Sequence, residues 1–128
     1  MSGLKTFAGS LALAVISSLS PAQAFQTGVA DVFATCTGRL SAQMEHQWMF
    51  DGPGSERTEA QRAAMISLLE ATMPPDAGRD ILARRIDAKM AQAALLTRAT
   101  FNADTDDARR AGHLAQVRIA ECTSLLLS

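Results

Sequence analysis

Hydrophobic residues recur along most of this chain at intervals of three and four, and no stretch alternates apolar with polar. That period belongs to the α-helix, in which residues three and four apart share a face. Clusters of Gly, Pro, Asn and Asp divide the pattern into four blocks. The first covers about residues 28–50 and stops at Asp51-Gly52-Pro53-Gly54. The second opens on Thr58-Glu59-Ala60-Gln61, the spacing of a capping box, and stops at Pro74-Pro75. The third covers about residues 76–101, with Asp80 one turn ahead of Arg84. The fourth opens on Asp104, Asp106 and Asp107, carboxylates placed where the helix dipole is positive, and runs to about residue 127. Short connections make successive helices antiparallel, so the expected fold is all-α, an up-down-up-down four-helix bundle.

A helical step of about 100° per residue sorts the faces. With Cys36 as the inward mark, Val29, Phe33, Leu40 and Met44 fall on or beside the core face of the first helix, with Trp48 at its shoulder. On the fourth, Ala108, Ala111, Ala115, Ile119 and Leu126 share the face of Cys122, small residues set against the large ones of the first helix. On the third, Leu82, Ile86, Met90, Ala93, Thr97 and Phe101 form one stripe, expected to face the core. A second line, Ile81, Ala88 and Leu95, points roughly the other way and is expected to be an outward partner surface. Gln43 and Gln47 fall near the Cys36 face and Arg118 near that of Cys122. They form a candidate internal polar site, because a buried amide or guanidinium needs a hydrogen-bond partner.

Ahead of these blocks Lys5 precedes an apolar run, Leu11-Ala12-Leu13-Ala14-Val15-Ile16, followed by Pro21 and Ala22-Gln23-Ala24. Charge, short apolar helix and small residues in that order read as a secretory signal peptide over residues 1–24, cut between Ala24 and Phe25. The apolar stretch is shorter than the roughly 20 residues that span a bilayer. The expected mature chain is one helical domain, residues 25–128, periplasmic or secreted and without a membrane span.

Cys36 and Cys122 are the two cysteines, and in an exported chain they are expected to form a disulfide. No C-x-x-C is present for zinc or redox exchange, and no C-x-x-C-H for covalent haem. At about 1.5 Å per residue, Cys36 and Cys122 lie roughly 12 and 8 Å from the same end of the bundle, so antiparallel helices bring them level.

Charge narrows the function. Lys plus Arg is 12 and Asp plus Glu is 13, a net −1, which offers no excess to hold a nucleic acid. Met44, His46 and Met49 are ligand types suited to copper, but they point to different sides of one helix, and no metal or cofactor is expected. Residues 102–107 imitate the first half of an EF-hand loop. Asp107 stands where that loop needs Gly and His113 where it needs Glu, and a helix cap accounts for the acids. No G-x-S-x-G, H-E-x-x-H or Gly-rich phosphate loop occurs, so no enzyme is expected. The expected function is a non-enzymatic accessory factor that binds another periplasmic protein or a second copy of itself. The alternative is a metal- or haem-binding bundle.

Overall fold

The computed structural model describes residues 20–127; the leader positions Lys5 and Leu11 to Ile16 lie outside them. Four helices follow one another: α1 (Pro21–Phe50), α2 (Gly52–Thr72), α3 (Gly78–Phe101) and α4 (Thr105–Ser124). No strand occurs among the described residues. α2 runs antiparallel to α1, since Arg62 Nε donates to Ser41 Oγ at 2.7 Å while Leu69 packs on Ala30 and Ala34. α3 runs parallel to α1, with ion pairs Arg84–Asp31 at 3.2 Å and Lys89–Glu45 at 2.6 Å. α4 returns antiparallel to α3, and Gln92 Nε2 donates to the Ala115 carbonyl at 3.1 Å. The up-down-up-down bundle is thus present. A disulfide between Cys36 and Cys122, Cα atoms 5.3 Å apart, ties its first helix to its last.

The helix ends follow local chemistry. α1 begins at Pro21, seven residues ahead of the expected start, because Pro is favoured in the first turn. α2 begins at Gly52 rather than near Thr58. Asp51 leaves helical geometry, donates its N–H to the Gln47 carbonyl at 2.7 Å, and accepts from Gly54 N at 3.0 Å. One residue therefore closes α1 and caps α2, with Pro53 in the tolerated first turn. A side chain at Gly54 would run into the Asp51 carboxylate. Thr58 is consequently mid-helix, its hydroxyl donating to the Gly54 carbonyl at 3.1 Å, and no capping box forms with Gln61. α2 stops at Pro74-Pro75, and α4 is capped by Asp104, which accepts from Asp106 N and Asp107 N.

α1 is the hub. It contributes to all three apolar clusters: Ala30 and Ala34 with Leu69 and Ile81, Cys36 and Leu40 with Met65 and Cys122, and Ala42 with Leu95, Leu96, Ala111 and Ala115. Its closest neighbour is α3, not α4. The cause is a four-residue period of small, buried positions, Ala30, Ala34, Gly38 and Ala42, which lets a helix approach along that line. A Cβ at Gly38 would strike the Arg85 carbonyl oxygen. The small residues of α4 accordingly meet α3 and Ala42 rather than the large side chains of α1.

This contact reverses the expected faces of α3. Ile81 and Leu95 are buried at 4% and 7% exposure, and Ala88 is half-buried against Gly38. That line faces the core and is not an outward partner surface. Leu82, Ile86, Met90 and Phe101 point out instead, at 54%, 51%, 64% and 68% exposure. The reason is steric. A helix lying against Gly38 and Ala42 can present Ala88 at the contact, flanked by Ile81 and Leu95, but has no room there for Ile86 or Met90.

The α3–α4 turn is held by charge. Arg98 places Nη2 at 2.6 Å and Nε at 3.2 Å from the two Asp107 oxygens, and Asn102 Nδ2 donates to the same carboxylate at 2.7 Å. The Arg98 hydrogen bonds hold the Asp107 carboxyl below its usual range, and raise Arg98 in turn. Because the folded value lies below the unfolded one of about 3.9, the stabilisation is present above that pH and disappears as pH falls through the folded value. Asp107→Asn is expected to lower the melting temperature slightly at neutral pH. It should also flatten the loss of stability below about pH 4, so that the two proteins converge in strong acid. Thermal circular dichroism across that range checks it, and parallel curves at all pH values would contradict it.

Candidate functional site

α2 and α4 both lie on α1 without packing along each other, and a cleft of about 540 Å³ opens between them. Gln43 and Gln47, one turn apart on α1, form its floor. Arg57 and Gln61, likewise one turn apart, line it from α2, and Gln116 from α4. Leu96, Ala99 and Thr100 of α3 close its far side. The side-chain oxygen of Gln47, Oε1, is shut off from solvent and has no donor among the described residues. An acceptor left so costs about 1–3 kcal/mol. Asp51 also borders the cleft, but its carboxylate is engaged with Gly54 N. His46 Nε2 lies 3.3 Å from the Thr100 hydroxyl, and its ring is 5.0 Å from that of Phe50.

The expected polar trio is therefore only partly assembled. Gln43 and Gln47 share the cleft, whereas Arg118 does not line it, and its carbonyl accepts from Arg39 Nη1 at 3.5 Å beside the disulfide. Gln61, Gln116 and Arg57 complete the polar lining instead. Their spacing on α2 and α4 carried no signal, because only the gap between those helices brings them together.

The copper-type residues do not converge. Met44 is buried and borders the groove between α2 and α3, while His46 and Met49 line a separate shallow hollow with Ala93 and Thr97. No group of three His, Cys, Asp or Glu among the described residues could hold a metal ion. The opening beside Cys36, about 440 Å³, has its charges paired as Arg39–Glu121 at 3.1 Å and Arg84–Asp31. The expected cleavage residues Ala22, Ala24 and Phe25 sit exposed at the start of α1.

A second surface lies between α2 and α3. Its floor is Gly38, Ser41 and Glu45, and one wall is Leu82 and Ile86. Arg62, Arg85 and Lys89 also border it, against the single carboxylate of Glu45, so the groove is locally basic in a chain of net −1. Trp48, 64% exposed, sits one turn beyond Glu45 on the same side of α1. Met49 and Phe50 are likewise mostly exposed at this end of α1, and Phe50 stands 6.4 Å from Phe101 at the end of α3.

Among the described residues no helix is long and apolar enough to cross a membrane. Comparison with family models, curated proteins and solved structures returns no match to this chain.

Proposed function

We propose that this protein is an exported, non-enzymatic binding factor that takes an amphipathic helix of a partner protein onto the groove between α2 and α3. The observation that carries this reading is the outward apolar line of α3, Leu82, Ile86 and Met90, each more than half exposed. Monomeric surfaces scatter large apolar residues singly, whereas a contiguous line of them favours contact with another chain. Met and aromatic residues are enriched at such contacts, and Met90, Trp48, Met49, Phe50 and Phe101 supply them here. The spacing of Leu82, Ile86 and Met90 suits a helix laid in a groove. The rim of Arg62, Arg85 and Lys89 favours acidic residues beside the partner's apolar stripe. Export is supported by the leader-like order of residues 1–24 and by the disulfide, which persists in oxidising compartments.

Trp48, the sole Trp, gives the test. The disulfide-bonded protein is titrated with Trp-free helical peptides carrying one Leu stripe, flanked either by Glu or by Lys. The Glu-flanked peptide is expected to shift Trp48 emission to the blue and to bind about tenfold or more tightly than its Lys counterpart. Ile86→Glu is expected to weaken that binding at least about tenfold, with helicity unchanged, because residue 86 is exposed in the free protein. Equal affinity for the two peptides, or unaltered binding by Ile86→Glu, would overturn the proposal. So would a stable dimer in sedimentation, since a second copy would then be the occupant.

A further inference from the structure

We propose that the cleft between α2 and α4 is a separate ligand site, built for a short peptide that ends in a free carboxylate. It lies across α1 from the α2–α3 groove and uses none of that groove's side chains. The volume, about 540 Å³, falls within the range of roughly 300–1,000 Å³ typical of small-molecule sites. What sets it apart from an ordinary crevice is unspent hydrogen-bonding capacity. The amides of Gln43, Gln47, Gln61 and Gln116 and the guanidinium of Arg57 line one space, and among the described residues none is bonded to another protein group. The Gln47 Oε1 atom also lacks a donor but is closed off even to water, so a ligand is met by the accessible amides and by Arg57.

The lining also says what enters. The one ring that borders the cleft is the His46 imidazole, which already packs 5.0 Å from Phe50 and lies 3.3 Å from the Thr100 hydroxyl, so a nucleobase finds no Phe, Tyr or Trp platform. Arg57 is its one Arg or Lys, and Asp51, its one carboxylate, is engaged by the cap of α2. A single unpaired guanidinium calls for one carboxylate, which it can hold through two parallel N–H donors. Each glutamine offers a carbonyl and an NH₂ side by side, the complement of a peptide unit. Leu96, Ala99 and Ile119 supply apolar contact for small side chains. A carboxylate for Arg57 and peptide units for the glutamine amides beside it describe a short peptide. The same chemistry occurs in a free peptide and in the C-terminal tail of a protein.

The probes are trialanine, trialanine amide, and a folded carrier protein ending in three alanines, each titrated into the disulfide-bonded chain and followed by amide-resolved NMR. Trialanine is expected to move the side-chain NH₂ signals of Gln43, Gln47, Gln61 and Gln116. The amide is expected to bind about tenfold or more weakly, and Arg57→Gln to erase the difference between the two. Arg57 is exposed, so the melting temperature serves as the control for folding. Carrier binding as tight as that of trialanine assigns the site to protein tails. Trialanine binding alone assigns it to free peptides, and both results uphold the site. Shifts confined to other residues, no shift at all, or equal binding of acid and amide would overturn it.

Discussion

Removing the Cys36–Cys122 bond, by reduction or as Cys36→Ala with Cys122→Ala, is expected to cost about 4–5 kcal/mol of stability. The cysteines are 86 residues apart, so the bond closes a loop that the unfolded chain would otherwise explore freely. In the chain-entropy account the effect grows with loop length, and this loop takes in most of the described chain. Domains of this size have about 5–15 kcal/mol in all, so one bond carries a large share. The melting temperature should fall by on the order of 20 °C. The loss should also be uneven. α4 packs chiefly on α3, and its contact with α1 is limited. The disulfide sits in that contact with Leu40 and Met65, both fully buried. Without it, amide exchange should accelerate most in α4, while the α1–α2 pair stays protected. Urea unfolding with and without reductant measures the first effect and hydrogen exchange the second. A shift below about 1 kcal/mol would mean that the unfolded chain is already compact near the two cysteines.

The disulfide was legible because the chain has two cysteines behind a leader-like segment, and the antiparallel order because the connections are short. The level of the cysteines was less legible: α1 starts at Pro21 and α4 ends at Ser124, so Cys36 lies about 22 Å into α1 and Cys122 about 3 Å from the end of α4. Faces were less legible, for reasons visible at particular residues. Side-chain size along α3 favours Leu82, Ile86 and Met90 as the core stripe, yet the partner helix decides what fits, and α1 presents Ala30, Ala34, Gly38 and Ala42. That four-residue period was in the sequence, and it implies a close neighbour whose contact residue is small, as Ala88 is. The pair Pro53-Gly54 reads as a stop only if Asp51 is ignored. With Asp51 as cap, the same residues read as a first turn. Gln43 and Gln47 pointed to a polar site because they break an apolar face of one helix. Arg57, Gln61 and Gln116 lie on polar faces of two others, and their meeting is a tertiary fact.

Gly38→Ala is expected to destabilise the protein by about 1–3 kcal/mol, against the local preference of the helix. Alanine is the better helix former by about 1 kcal/mol, so at an open helical site the same change stabilises. Gly112, within α4, is such a site, since an added Cβ would meet only the Ala99 methyl at an ordinary 3.5 Å. At Gly38 the new Cβ meets the Arg85 carbonyl oxygen, with Ala88 Cβ and Lys89 N each at 3.0 Å. Two of these three are backbone atoms of α3, which no rotamer change can withdraw, so the helices must separate along their closest line. Separation would strip contact from Ile81 and Leu95, both buried, and draw Lys89 from Glu45. The two variants should therefore move the denaturation midpoint in opposite directions, Gly112→Ala up and Gly38→Ala down, with Gly38→Val lower still. If Gly38→Ala raised the midpoint as Gly112→Ala does, α1 and α3 could not be in backbone contact. The outward turn of Leu82, Ile86 and Met90 would then lose its cause, because that contact alone excludes them from the core.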